Sequence, residues 1–77
     1  MNKLLKAAKD KYKAKKSEAL AHLDILFNKP VGIGEHTDIM AEIEKWVDVV
    51  AQSDENLKIL IEHFDEYGDV KTAWKDE

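Results

Sequence analysis

Apolar positions recur every three or four residues along most of the chain, which is the spacing of one face of an α-helix. The first such segment covers residues 3–28, where lysine, alanine and leucine, all good helix formers, predominate. Pro30 ends it, because the residue before a proline is driven out of the α-helical region. The pattern therefore predicts one N-terminal helix, roughly 39 Å long at 1.5 Å per residue.

Two shorter helices are predicted in the second half of the chain. The first covers about 37–52 and has a broad apolar face that suits contact with more than one neighbour. Ser53 or Asp54 is expected to cap the next helix, because short polar side chains are preferred at that position. This helix covers about 54–67, and Gly68 follows it where a helix-terminating glycine belongs.

The predicted fold class is all-α, with a long N-terminal helix followed by a helical hairpin. Residues 1–77 would form a single helical domain, a small three-helix bundle, with a short C-terminal turn at about 70–75. A domain of this size usually needs disulfides, a metal or another subunit for stability. The chain has no cysteine, so well-packed helices and association into an oligomer are the remaining options.

The stretch KPVGIGEH, at residues 29–36, is the one part of the chain without a helical pattern. Gly32 and Gly34 allow the positive φ angles that a sharp reversal often needs. A phosphate-binding loop is the alternative, but no Gly-Lys-Ser/Thr follows, and Glu35 and Asp38 would repel an anion. We interpret the stretch as a structural corner between helices.

Candidate chemistry is sparse. Pairs such as His63 and Glu66 have the spacing of metal ligands on a helix, but such pairs are common by chance in an acidic helix. No His-Glu-x-x-His motif or cysteine nucleophile is present, and a bundle this small has little room for a substrate pocket. The sequence therefore predicts no catalytic residue, no metal and no cofactor, and a protein that is not an enzyme.

Charge is distributed unevenly. Residues 1–16 carry seven lysines and one aspartate, a net charge of +6, whereas residues 17–77 carry five lysines and fifteen acids, a net charge of −10. A basic end suggests non-specific nucleic-acid binding, although arginine, the usual reader of guanine, is absent. The acidic part suggests protein binding through acidic helices, or mimicry of DNA. The candidate basic patch consists of Lys3, Lys6, Lys9, Lys13 and Lys16.

Small side chains also recur at seven-residue intervals on the first helix, opposite its predicted buried face. Such a line lets a second helix approach closely, although alanine is also simply the best helix former. Val49 flanks the predicted buried face of the second helix, and Ile59 points away from that of the third. Together they would form an apolar surface patch. The candidate interface, with another copy of the chain as partner, consists of Ala7, Ala14, Ala21, Ile25, Val49 and Ile59.

The segment NKPVGIGEHTDIMAEIEKWVDVVAQSDENLKIL, at residues 28–60, resembles small uncharacterised helical proteins encoded by tailed bacteriophages. Those proteins carry a lysine- and alanine-rich first helix, an NPVGIGEH-like corner and an acidic helical pair. Thr37 departs from the proline common in the group, but threonine also suits a helix cap. The resemblance implies an all-helical phage accessory protein made in the cytoplasm of a bacterial host. The net charge of −10 over residues 17–77 adds the hypothesis that it docks on a host or phage protein through its acidic helices. No apolar run is long enough to suggest a membrane span.

Overall fold

A computed structural model of the protein describes residues 2–28 and 38–71. These residues form two α-helices, α1 over Lys3–Asn28 and α2 over Ile39–His63, which pack against each other along their lengths. The described part of the chain contains no strand. The all-α fold class is therefore confirmed, but the two helices replace the predicted three-helix arrangement.

The helices are antiparallel and form a hairpin. The Lys16 ammonium lies 2.7 Å from the Asp54 carboxylate. Further along α1, the ring of His22 stacks on the ring of Trp46 with their centroids 3.9 Å apart. Residue numbers thus rise along α1 as they fall along α2. We call the end at which α1 finishes and α2 begins the connected end of the hairpin, and the opposite end the free end.

The bounds of α1 match the predicted segment 3–28. Its start is fixed by Asn2, whose side-chain oxygen accepts a hydrogen bond of 2.9 Å from the Leu5 amide. Asparagine is a preferred residue at this position because its side chain satisfies an otherwise unpaired amide of the first turn. The helix ends at Asn28, before Pro30, as the restriction on the residue preceding proline requires.

The predicted break between a helix over 37–52 and a helix over 54–67 is wrong, because α2 continues through these positions. Ser53 does not cap a helix. Its side chain faces α1, and only 3% of the residue is exposed. Asp54 is held by Lys16 of the neighbouring helix. The start of α2 is capped instead by Asp38, whose carboxylate accepts a 3.1 Å hydrogen bond from the Ala41 amide.

The predicted end of the last helix near residue 67 is also wrong, since α2 ends at His63. Beyond it the chain reverses, and Phe64 and Val70 form an isolated antiparallel bridge. Gly68 lies inside this reversal with a φ of +85°, so it serves a tight turn rather than a helix terminus. Lys71 completes the end of α2, because its amide and its ammonium donate to two of the last helical carbonyls.

Two predicted features lie outside the described residues. The corner at 29–36 is one of them. Residues 72–75, the larger part of the predicted C-terminal turn at 70–75, are the other.

Few side chains are buried between the helices. Ala19 and Leu23 of α1 and Ser53 of α2 are the buried residues within the described ranges. The protein measures 53 × 27 × 16 Å, and its smallest dimension is little more than the 10–12 Å diameter of one helix. Ten large apolar side chains of the described ranges are exposed on surfaces that α1 and α2 do not cover for each other.

The free end is closed by contacts between Asn2 and the turn after α2. The Asn2 amide donates to the Glu66 carbonyl at 2.9 Å, and its side-chain amide donates to the Tyr67 carbonyl at 3.2 Å. A Cβ atom placed on Gly68 would lie 2.6 Å from Nδ2 of Asn2. Asn2, the residue that caps the start of α1, is therefore held by a turn that begins more than sixty positions later in the sequence.

We predict that Gly68→Ala lowers the free energy of unfolding by about 1–2 kcal/mol, because alanine disfavours a left-handed backbone conformation. The contact with Asn2 adds to this loss. Urea unfolding followed by circular dichroism measures the effect. In an Asn2→Ala background the loss should be smaller, since the contact is gone and the backbone term remains. Equal stability of Gly68→Ala and the wild type would contradict the described turn.

Candidate functional site

Three of the five predicted basic-patch residues lie together. Lys6, Lys9 and Lys13 line a shallow open cleft of about 320 Å³ at the free end of the hairpin, which Glu66 enters from the other side. Lys3 is exposed at the start of α1, outside this cleft. Lys16 lies further along α1 in its ion pair with α2, so the structure does not assemble all five lysines into one surface.

Carboxylates reduce the positive charge of this cleft. The Lys6 ammonium hydrogen-bonds the Asp10 carboxylate at 2.6 Å. This hydrogen bond, with a smaller contribution from the charge of Lys13, holds the pKa of Asp10 below its usual value. The aspartate is therefore ionised at neutral pH and offsets one lysine. With Glu66 also present, the cleft has a mixed charge rather than a strongly positive one.

The six predicted interface residues do not form one surface. Ala7, Ala14 and Ala21 are exposed on α1, on the side away from buried Ala19 and Leu23. Ile25 is about half exposed on the same outer side. The remaining two predicted interface residues lie on α2. They are half-buried Val49, which lines a shallow depression against α1, and exposed Ile59.

Five of the ten exposed large apolar side chains in the described ranges lie on the side of the hairpin marked by the Lys16–Asp54 ion pair. Residues seven apart share one side of a helix to within about 20°. Lys13, Leu20 and Phe27 are spaced in this way on α1, and the ion pair places them beside a similar line on α2. We call this surface the Lys16 face. It consists of Lys9, Lys13, Lys16, Leu20 and Phe27 of α1, and Met40, Val47, Asp54 and Ile61 of α2.

The Lys16 face is divided along its length. Towards the connected end it is apolar, since Leu20, Phe27, Met40 and Val47 are each 46–62% exposed. Towards the free end its α1 side is basic, with Lys9 and Lys13. A contiguous exposed apolar surface is typical of an interaction site. This face was not predicted from the sequence, although both seven-residue lines are visible there.

The outer side of α2 is acidic. Glu44, Asp48, Glu55 and Glu62 recur at intervals of four or seven residues, on the side of α2 opposite buried Ser53. We call these four residues the acidic ridge. The Lys58 ammonium lies 3.9 Å from the Glu62 carboxylate, and the side chains of both residues are exposed. The acidic ridge adjoins the α2 side of the Lys16 face, so α2 presents apolar and acidic groups side by side.

The rings of His22 and Trp46 form a cluster on the side of the hairpin opposite the Lys16 face. The His22 and Trp46 rings are parallel to within 4°, and the Lys45 ammonium lies 4.8 Å from the centre of the Trp46 ring. Stacked rings and a cation over an aromatic face each contribute about 0.5–1.5 kcal/mol. We interpret the cluster as a contact that joins the two helices, because His22 of α1 stacks on Trp46 of α2.

No family model, curated protein or solved structure matches the chain. Within residues 2–28 and 38–71, no group of three or more potential metal ligands comes together. Neither of the two helices is long and apolar enough to cross a membrane. The described residues present three candidate surfaces: the Lys16 face, the acidic ridge and the mixed-charge cleft.

Proposed function

We propose that the chain is a non-enzymatic binding protein that acts by docking on another protein through α2. One observation carries this proposal: α2 exposes Met40, Val47 and Ile61 in a line beside the acidic ridge. An exposed apolar line gains free energy when a partner covers it, about 25 cal/mol for each Å² removed from water. Charges at its edge select the partner and accelerate encounter.

The chemistry of α2 defines the partner that it fits. Apolar side chains in a helical line are covered best by a groove or by another helix with apolar residues at matching intervals. Because the acidic ridge borders that line, lysine or arginine residues should flank the apolar surface of the partner. The resemblance of residues 28–60 to phage-encoded proteins supports an accessory role in an infected bacterial cytoplasm, where the partner would be a host or phage protein.

Charge reversal on the acidic ridge tests the proposal. We expect Glu44→Lys, Asp48→Lys and Glu55→Lys, introduced together, to abolish capture of a specific partner from host lysate. The matched control reverses three acids of α1, at Asp10, Glu18 and Asp24, which changes the net charge by the same amount. The control should retain the partner. Loss of the partner from both variants, or retention by both, would contradict docking through α2.

Nucleic-acid binding is a second candidate, because Lys6, Lys9 and Lys13 share one cleft. Lysine contacts with phosphates release counterions and weaken steeply with added salt. Since Asp10 and Glu66 offset part of this charge, we expect any gel shift of DNA or RNA to disappear by about 0.15 M salt. A shift that persists at this salt and is lost in Lys9→Glu would favour this candidate. Competition by DNA for the captured protein would instead indicate DNA mimicry.

A further inference from the structure

We propose that the partner of the Lys16 face is a second copy of this chain, and that the two hairpins pair with their connected ends together. The inference rests on the proposed function, because it assigns an occupant to the apolar line of α2. The isolated hairpin buries two apolar side chains within its described part, Ala19 and Leu23. A second hairpin laid on the Lys16 face would complete a four-helix bundle.

The contacts between the helices show which residues of α1 and α2 lie at the same height along the hairpin, and we call such residues level with each other. Lys16 is level with Asp54, so Leu20, four residues further along α1, is level with Val50, four residues back along α2. By the same count Phe27 is level with Ile43. The apolar parts of the two helices therefore occupy the same half of the Lys16 face, next to the connected end.

The same count places the basic part of α1 beside the acidic second half of α2. Lys13 is level with Leu57, and Lys9 is level with Ile61. Glu55 and Glu62 of the acidic ridge lie within two residues of these two levels, on the outer side of α2. Opposite charges therefore share the half of the hairpin next to the free end.

Symmetry then selects one orientation. In a two-fold dimer with connected ends together, α1 of each copy lies on α2 of the other at the same level. Leu20 and Phe27 then meet the partner's apolar line, and Lys9 and Lys13 reach the partner's acidic ridge. If the connected ends were opposite, α1 would lie antiparallel on α1, with the lysine-rich half over the apolar half. Only the first orientation buries apolar side chains against apolar side chains and also brings opposite charges together.

Equilibrium sedimentation and one matched pair of variants test the surface. We expect the wild type to be a dimer, and Val47→Glu to weaken dimerisation at least about tenfold, since a carboxylate would be buried among apolar groups. Ile59→Glu is the control, because Ile59 is similarly exposed, 42% against 46% for Val47, but lies outside the Lys16 face. Met40→Glu is a second variant that keeps the hairpin intact, since an acid suits the first turn of α2.

Spin labels on a single introduced cysteine test the orientation, because the chain has no cysteine of its own. With Lys3→Cys, connected ends together predict labels about 25 Å apart, whereas opposite ends predict about 40 Å, from the helix rise and the spacing of packed helices. A distance near 40 Å would overturn the orientation. A monomeric wild type, or a dimer unaffected by Val47→Glu and Met40→Glu, would overturn the pairing, while capture that depends on the acidic ridge would still support the proposed function.

Discussion

Leu23→Ala is expected to lower the free energy of unfolding by about 2–5 kcal/mol, the range for large-to-small changes at buried positions. Leu23 is 8% exposed and is the larger of the two apolar side chains that the described helices bury. Domains of this kind are stable by about 5–15 kcal/mol, and a chain with so small a core belongs near the lower limit. Urea unfolding, monitored by the helical circular dichroism signal, measures the loss.

Leu4→Ala provides the matched control for this substitution. Leu4 has the same side chain in the same helix but is 81% exposed, so its truncation should change the free energy of unfolding by less than about 0.5 kcal/mol. If Leu23→Ala and Leu4→Ala unfold at the same urea concentration, the side of α1 assigned to α2 is incorrect.

Asp54→Pro is expected to destabilise the protein by about 3 kcal/mol or more, because proline inside a helix removes a hydrogen bond and clashes with the preceding turn. The prediction distinguishes the continuous α2 from a helix that begins after Ser53. In the second case residue 54 would be the first helical position, where proline is favoured. Thermal unfolding of the variant therefore measures directly whether the helix is continuous at this point.

Asp54→Ala separates the backbone effect of proline from the loss of the ion pair with Lys16. Both partners of that pair are substantially exposed, at 39% and 51% of their side chains, so its loss should lower stability by less than about 1 kcal/mol. Equal unfolding temperatures for Asp54→Pro and Asp54→Ala would show a helix boundary at Ser53 and contradict the continuous α2.

The sequence predicted α1 correctly because its signals are local. A long segment of helix formers and a proline two residues after the helix are sufficient to define Lys3–Asn28. The boundary at Ser53 was predicted from a cap preference that is also local, but it was overridden by packing. Val50 and Leu57 are seven residues apart on one side of α2, so the apolar period crosses Ser53 without a change of phase.

The contacts at the free end could not be predicted from local signals. Gly68 was predicted to terminate a helix, but α2 ends at His63 and Gly68 lies in the turn beyond it with a φ of +85°. The tight turn around it is stabilised by Asn2 at the other end of the chain. A hydrogen bond between positions this far apart depends on how α1 and α2 pack, and no spacing rule in the sequence encodes it.

The candidate surfaces were predicted in part. The lysines of α1 were identified, and the structure gathers Lys6, Lys9 and Lys13 in one cleft. The Lys16 face was missed because each helix was assigned one buried side, chosen from its strongest apolar period. Phe27 was assigned to that side of α1 and Leu20 was not, although both are exposed; the surface that they share with Val47 is defined by the Lys16–Asp54 ion pair, which shows how the two helices are rotated.

The dependence of the urea midpoint on protein concentration tests most directly whether a second copy completes the fold. If the Lys16 face is covered by another hairpin, folding and association are coupled, and the midpoint rises steadily over about a thousand-fold increase in concentration. Val47→Glu should reduce that rise. A midpoint that stays constant over the same range would show that the two-helix hairpin is stable alone, and would contradict the pairing of two hairpins through the Lys16 face.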